Sequence, residues 1–166
     1  MVNWMSYPEP VYHGDDGLLT ATIRSGSQGP DLTYRSGGTV HYLSTGESSG
    51  GKLGVYRWEM AAAPGGPTPH FHRSIAEAFY VLYGTVRLFD GKEWVDGRAG
   101  DYLYVPEGGI HAFKNESGAP ASMLLLFAPG APRQDYFETL ARVAEGLVMT
   151  EEERAAFYIR HDTYWV

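Results

Sequence analysis

The feature that most restricts this chain is the pair His70 and His72, followed soon by Glu77 and much later by His111. They lie in Pro69-His70-Phe71-His72-Arg73-Ser74-Ile75-Ala76-Glu77 and in Pro106-Glu107-Gly108-Gly109-Ile110-His111-Ala112-Phe113-Lys114-Asn115. Alternate side chains of a strand point to one face, so His70 and His72 project together, about 6–7 Å apart along the backbone. Two neutral imidazoles on one face can share a divalent metal. A carboxylate from the next strand and an imidazole from further on complete the set, which is the pattern of a metal site inside a small β-barrel. The chain has no cysteine, so any such site uses nitrogen and oxygen donors alone.

A chain of 166 residues can enclose a core and is most simply one domain, 1–166. Its 21 glycines and 10 prolines fall between short apolar runs, as expected of many strands joined by tight turns. A net charge of −7 leaves no basic stripe for phosphates, and no helix-turn-helix segment is evident, so nucleic acid is not an expected partner. No apolar run reaches the roughly 18 residues of a membrane span. Met1–Pro8 lacks a basic stretch followed by an apolar core, so no secretory signal is expected and the cytoplasm is the expected location.

Strands are expected at Leu18–Arg24, Thr39–Leu43 and Leu53–Met60, the last with Tyr56, Trp58 and Met60 on one face and Val55, Arg57 and Glu59 on the other. Glu77–Tyr83 and Thr85–Phe89 pivot about Gly84, and Asp90-Gly91 is a hairpin dipeptide leading to Glu93–Val95. Tyr102–Val105, Ile110–Lys114 and the strongly apolar Ala121–Phe127 follow. The period then changes. Tyr136, Phe137, Leu140, Val143, Ala144 and Leu147 recur at helical spacing, with Glu138 and Arg142 as an (i, i+4) pair. Thr150 and Glu153 form a capping-box pattern that starts a second helix through about Ile159. The expected architecture is all-β, with a core at about 39–128 and one or two short C-terminal helices within about 133–160.

His70 to Gly84 reads H-x-H-x4-E-x6-G, and Gly100 to Asn115 reads G-x5-P-x-G-x2-H-x3-N. Both resemble the paired motifs of the cupin superfamily. The first departs only at its start, where Pro64 stands in place of the usual glycine and Gly65 comes one place late. The resemblance implies a single cupin domain, a double-stranded β-helix or jelly-roll barrel. It carries the metal ligands onto His70, His72, Glu77 and His111. Three imidazoles and one carboxylate suit one divalent transition metal: Fe, Ni, Mn, Co, Cu or Zn. Four protein ligands on a six-coordinate ion leave two positions open, as a catalytic site requires. Gly100 and Gly108 permit turns with positive φ, and Pro106 stiffens the corner that delivers His111. His13 and His41 have no partner at ligand spacing and read as surface or strand residues, and His161 as an exposed helix end or, alternatively, a residue at a cavity mouth.

Alternation along the strands predicts an aromatic pocket beside the metal, with Tyr56, Trp58, Phe79, Phe113 and Phe127 as the substrate-binding set. Either Leu125 with Phe127 or Leu124 with Leu126 supplies another face. No arginine is evidently placed to clamp a carboxylate, although Arg57 would serve if its register differed by one. Within the superfamily, Gly65 to His72, Glu77 to Gly84, Tyr104 to Phe113 and the tail Arg160 to Val166 most resemble quercetinase-like monocupins. That resemblance implies a metal-dependent dioxygenase that cleaves a flavonol-like or other enolic aromatic with O2, Glu77 being both ligand and catalytic base. The alternatives are a polyketide cyclase or isomerase using the metal as a Lewis acid without O2, and a non-catalytic binding cupin. The expected partners are a small aromatic substrate, O2 and a second copy of the chain in a homodimer.

Overall fold

A computed structural model describes residues 6–166 of the protein. The stretch Met1–Pro8, read above for a secretory signal, lies outside the described residues over positions 1–5. In chain order the strands are β1 (Leu32–Thr33), β2 (Thr39–Ser44), β3 (Gly54–Met60), β4 (His70–Phe71), β5 (Ala76–Tyr83), β6 (Thr85–Phe89), β7 (Trp94–Arg98), β8 (Tyr102–Val105), β9 (Ala112–Lys114) and β10 (Ala121–Ala128). Two helices, α1 (Arg133–Ala144) and α2 (Glu151–Arg160), and a final strand β11 (Tyr164–Trp165) complete the described chain. The strands form a six-stranded sheet in the order β1-β2-β3-β10-β5-β8, a three-stranded sheet β7-β6-β9 and a two-stranded ribbon β11-β4. Every pairing is antiparallel. This is the all-β body of the double-stranded β-helix, followed by two short helices.

The most apolar run becomes the middle strand of the large sheet. Residues of β10 pair with β3 on one side and β5 on the other, setting Leu125 opposite both Tyr56 and Phe79, and Phe127 opposite Glu77. Leu125 and Phe127 therefore share the inner face with Glu77, Phe79 and Val81, and that choice closes the two options left open by the sequence. Tyr56, Phe79, Val81, Met123, Leu125 and Phe127 are fully buried there. Burial of each such side chain favours folding by roughly 1.5–3 kcal/mol. The outward residues Tyr80 and Tyr83 of β5 are exposed.

Four expectations need correction. Leu18–Arg24 forms no strand. Leu18, Leu19 and Ile23 are exposed, and no described strand lies beside them, so their β-propensity has no ladder to join. The strand expected at Glu93–Val95 begins at Trp94 and runs on to Arg98, because the Asp90 carboxylate accepts the Lys92 and Glu93 N–H groups and holds Glu93 in the turn. Glu138 and Arg142 do not pair. Glu138 accepts the Tyr42 hydroxyl at 3.2 Å, and Arg142 donates to Thr139 Oγ1 at 2.9 Å. Helix α1 stops at Ala144, so Leu147 lies past its end and is exposed, and the buried residues of the helix are Arg133, Tyr136, Phe137, Thr139 and Ala141.

Helix α2 begins as its sequence requires. Glu153 N–H donates to Thr150 Oγ1 at 3.1 Å, and Thr150 N–H donates to Glu153 Oε2 at 2.9 Å. Gly100 and Gly108 have φ of 95° and 81°. Among the described residues no helix is long and apolar enough to cross a membrane.

Candidate metal centre

Each histidine is set by backbone before any ligand is considered. His70 and His111 exchange both main-chain hydrogen bonds, at 3.0 and 2.9 Å, which puts their rings side by side with centroids 4.4 Å apart. The turn carrying Gly108 donates its N–H to His72 O at 2.6 Å, tying the second motif to the first. Glu77 enters from β5, opposite Phe127 and Val105. The four side chains converge: one donor atom from each lies within 4.8 Å of all the others. All four are buried, Glu77 at 4% exposure and His111 at 0%.

The hydrogen bonds settle which ring nitrogens face inward. Nδ1 of His70 lies 2.9 Å from Thr68 O, that of His72 2.6 Å from Asp162 O, and that of His111 3.0 Å from Gly109 O. A carbonyl can only accept, so each Nδ1 carries the proton and each Nε2 presents a lone pair. Yet Glu77 Oε2 lies 3.1 Å from His72 Nε2 and 2.9 Å from His111 Nε2. Lone pairs facing a carboxylate at that distance require a positive charge between them, either added protons or a cation. Oriented imidazoles, a carboxylate and carbonyls fixing the tautomer behind them are the donor set of a divalent transition-metal site. The residues fit one ion.

The charges follow the same logic. Burial raises the Glu77 carboxyl, but with protons also on Nε2 of His111 and His72, hydrogen bonds from these rings outweigh it and hold the group well below the usual carboxylate range. Burial opposes charge on His111, and its hydrogen bond to Glu77 overcomes that, raising its pKa. His70 is pushed down to about 4 by burial and by the charge of His111, so it is neutral and free to ligate at neutral pH.

A cavity of about 370 Å³ opens beside this cluster, with His70 and Glu77 in its wall. Trp58, Phe113 and Phe127 line it, joined by Met60 and Leu125. Tyr56 and Phe79, placed in the pocket by alternation, lie in the core: both are fully buried, Tyr56 packs edge-on to Phe127 and Phe137, and Phe79 lies against His111 and Phe113. Arg57 is not in the cavity. It donates to His41 Nε2 at 3.1 Å and pairs with Glu59 at 3.0 Å. His41 is accordingly a buried strand residue, and His13 is exposed. His161 is not an exposed helix end: it is buried at the end of α2, with Nε2 3.0 Å from Asp135.

The sequence reading missed the far wall. Arg133, Tyr136, Phe137 and Leu140 of α1, with Tyr158 and Trp165, close the cavity opposite the barrel. A signal was present, because positions 133, 136, 137 and 140 keep helical spacing and set Arg133 on the apolar stripe. Asp162 was also missed. Its carboxylate accepts N–H from Arg73 and Ser74 and the Ser74 hydroxyl, while its carbonyl orients His72. The displaced glycine of the first motif, Gly65, has open space where a Cβ would stand; the next residue, Gly66, passes so near Phe113 O that a Cβ would sit 2.0 Å from it. The motif asparagine, Asn115, is a clamp, donating to Ala61 O and Ala119 O and accepting from Ser117.

Residues 57–127 match the family model described as "Cupin domain". The fold is a cupin fold. Among solved cupin-like structures, KdgF from Halomonas sp. is 16% identical, with 70% of this chain and 99% of that one covered at a TM-score of 0.56. A predicted oxalate decarboxylase from Thermotoga maritima is 21% identical, with 66% and 99% covered, also at 0.56. At those identities the likeness concerns the fold alone. A germin-like protein, subfamily 2 member 3, of Arabidopsis thaliana is 33% identical over 133 residues, 75% of this chain. Quercetin 2,3-dioxygenase of Bacillus subtilis (strain 168) is 28% identical over 91 residues, 55% of this chain. The chain spans 56% and 26% of the length of these two curated relatives.

Proposed function

We propose that this cupin is a metal-dependent dioxygenase acting on a flavonol-like or other enolic aromatic substrate. One observation carries the reading: the buried His70, His72, Glu77 and His111 cluster opens through His70 and Glu77 onto an aromatic-walled cavity of about 370 Å³. That volume lies within the range of small-molecule sites, and its apolar lining suits a planar ring with few polar atoms. The partial likeness to a quercetin 2,3-dioxygenase supports the same substrate class.

When bound at His70, His72, Glu77 and His111, a divalent transition metal supplies a Lewis-acidic, redox-capable centre for chemistry with O2. The chain's own residues do the rest. Trp58, Phe113 and Phe127 offer faces and edges for the ring and exclude water from it. Glu77 lines the cavity and accepts the proton of the substrate's enolic hydroxyl at a carboxylate oxygen. That role requires the His72 and His111 nitrogens to face the bound ion instead, since their hydrogen bonds hold the carboxyl too low to serve as a base. The peptide carbonyls of Thr68, Asp162 and Gly109 keep the three imidazoles aimed inward throughout.

The test is metal analysis of the protein as isolated, joined to oxygen uptake with a panel of flavonols and enolic aromatics. Uptake that requires metal and tracks loss of substrate supports the reading. Turnover of the same substrates under strict anaerobiosis would overturn it in favour of a non-oxidative cyclase or isomerase.

A further inference from the structure

Arg133 is a buried cation whose hydrogen bonding is unfinished. Its exposure is 4%, yet it makes no ion pair with any described residue. Nη1 donates to His161 O at 2.9 Å, while Nε is buried without a partner. Tyr136 and Phe127 present ring faces to the guanidinium carbon at 4.1 and 5.1 Å. Those faces stabilise the charge, but they take no N–H in the guanidinium plane. A guanidinium has five N–H donors in a flat fork that matches a carboxylate. Burial of a charge without a hydrogen-bonded counterpart is costly, so an unfinished guanidinium fork calls for a partner.

The position of Arg133 says which partner. It lines the cavity that Glu77 and His70 also line, so whatever fills the cavity meets the fork at one side and the metal-ligating cluster at another. We propose that the cavity takes its substrate as an organic anion, a planar enolic or phenolic acid whose carboxylate is held by Arg133. The identity of the other end, an enolic hydroxyl at Glu77, rests on the function proposed above; the anion preference itself does not. A purely structural Arg133 would tether the segment after α2 through His161 O. That tether uses one N–H of Nη1 and leaves the Nη2 N–H groups, which unlike Nε are not closed off by packing, without a partner among the described residues.

The experiment compares benzoate with its neutral isostere, benzyl alcohol, by calorimetric titration of the full chain freed of metal with chelator. Metal-free protein is used so that no ion can take the carboxylate. Benzoate is expected to bind about tenfold or more tightly than benzyl alcohol, the range of a charge-assisted hydrogen bond. Arg133→Met should erase that ratio by weakening benzoate alone, and Arg133→Lys should keep part of it. The proposal fails if wild-type protein binds the two equally, or shows no saturable benzoate binding up to about 10 mM. A preference that appears only after metal is added also overturns it, as does an Arg133→Met variant that keeps the wild-type ratio. The wild-type comparison decides even if the variants do not fold. Oxygen uptake is not measured, so the dioxygenase reading and this one fail separately.

Discussion

The two walls of the cavity are built on different plans. On the barrel side, four candidate ligands come from residues 70–111, and each histidine is locked by a carbonyl within two residues of it or, for His72, by Asp162 O. On the far side, α1, α2 and β11 supply Arg133, Tyr136, Phe137, Tyr158 and Trp165 from the last third of the chain. The barrel wall is polar at its centre and held by main-chain hydrogen bonds. The far wall is aromatic and held by ring packing, with Tyr158 and Trp165 edge to face at 4.9 Å. The difference teaches that the candidate ion site belongs to the barrel alone, whereas the aromatic lining of the cavity is shared, Trp58, Phe113 and Phe127 facing Tyr136, Phe137, Tyr158 and Trp165, and its one cation among the described residues, Arg133, comes from the tail.

The largest effect should fall on the barrel wall. Glu77→Gln keeps the side chain's size and one oxygen but removes the negative charge between His72 and His111. Steady-state oxygen uptake should drop about 10²- to 10⁴-fold, the usual contribution of a positioned proton acceptor. The circular dichroism spectrum should not change. Full activity in this variant would end the assignment of Glu77 as base and break the division between the walls.

How much of this was legible in the sequence follows the same division. Two spaced motifs found all four converging side chains because each motif is complete within a short stretch, although the pairing of His70 with His111 that brings the two motifs together is long-range. Thr150 and Glu153 announced α2 for the same reason, since a capping box is complete within four residues. The choice of Leu125 and Phe127 as inward residues was not legible, because β10 is apolar on both faces and only its pairing with β3 and β5 decides. The place of Arg133 on the apolar stripe of α1 was legible, but its part in the cavity wall was not. Its role depends on α1 folding across the barrel mouth, and nothing near Pro132 in sequence states where that helix will lie. The error at Leu18–Arg24 is the converse: a good local strand pattern with no neighbour to pair with.

The link between the walls is Asp162, which belongs to the tail but orients a barrel ligand. With φ at 52°, it sits where its carbonyl meets His72 Nδ1 while its carboxylate holds the Arg73 and Ser74 N–H groups. Asp162→Ala removes the carboxylate anchor and loosens His72 without touching a ligand. Metal affinity should fall about tenfold, the low end for loss of a group that orients a ligand. Competition with a chromogenic chelator measures this. Unchanged affinity would mean that the barrel wall holds its ion without help from the tail.

Trp165→Ala addresses the far wall alone. Trp165 pairs with His70 along the ribbon, and its ring lies 5.2 Å from the His70 ring. Removing the indole widens the cavity and takes from a bound ring an aromatic contact worth about 0.5–1.5 kcal/mol. KM for an aromatic substrate should rise several-fold, about what that energy corresponds to, while kcat and metal content stay near wild type. A fall in metal content instead would show that the ring supports His70 and is part of the barrel wall in all but sequence.

The smallest effect tests whether the tail is thermodynamically one piece with the barrel. Thr150→Ala breaks the capping box at an exposed helix end far from every ligand in sequence, at a cost of about 1 kcal/mol. For a chain of this size that lowers Tm by about 2–4 °C. If the walls are as separate as their hydrogen bonding suggests, chelator competition will return the wild-type metal affinity, because α2 can fray at its start while Asp162, beyond its end, stays anchored to Arg73 and Ser74. If metal affinity falls together with Tm, the cap is felt through α2 at His72. The tail would then be a coupled element that sets the ligand geometry as well as the shape of the cavity.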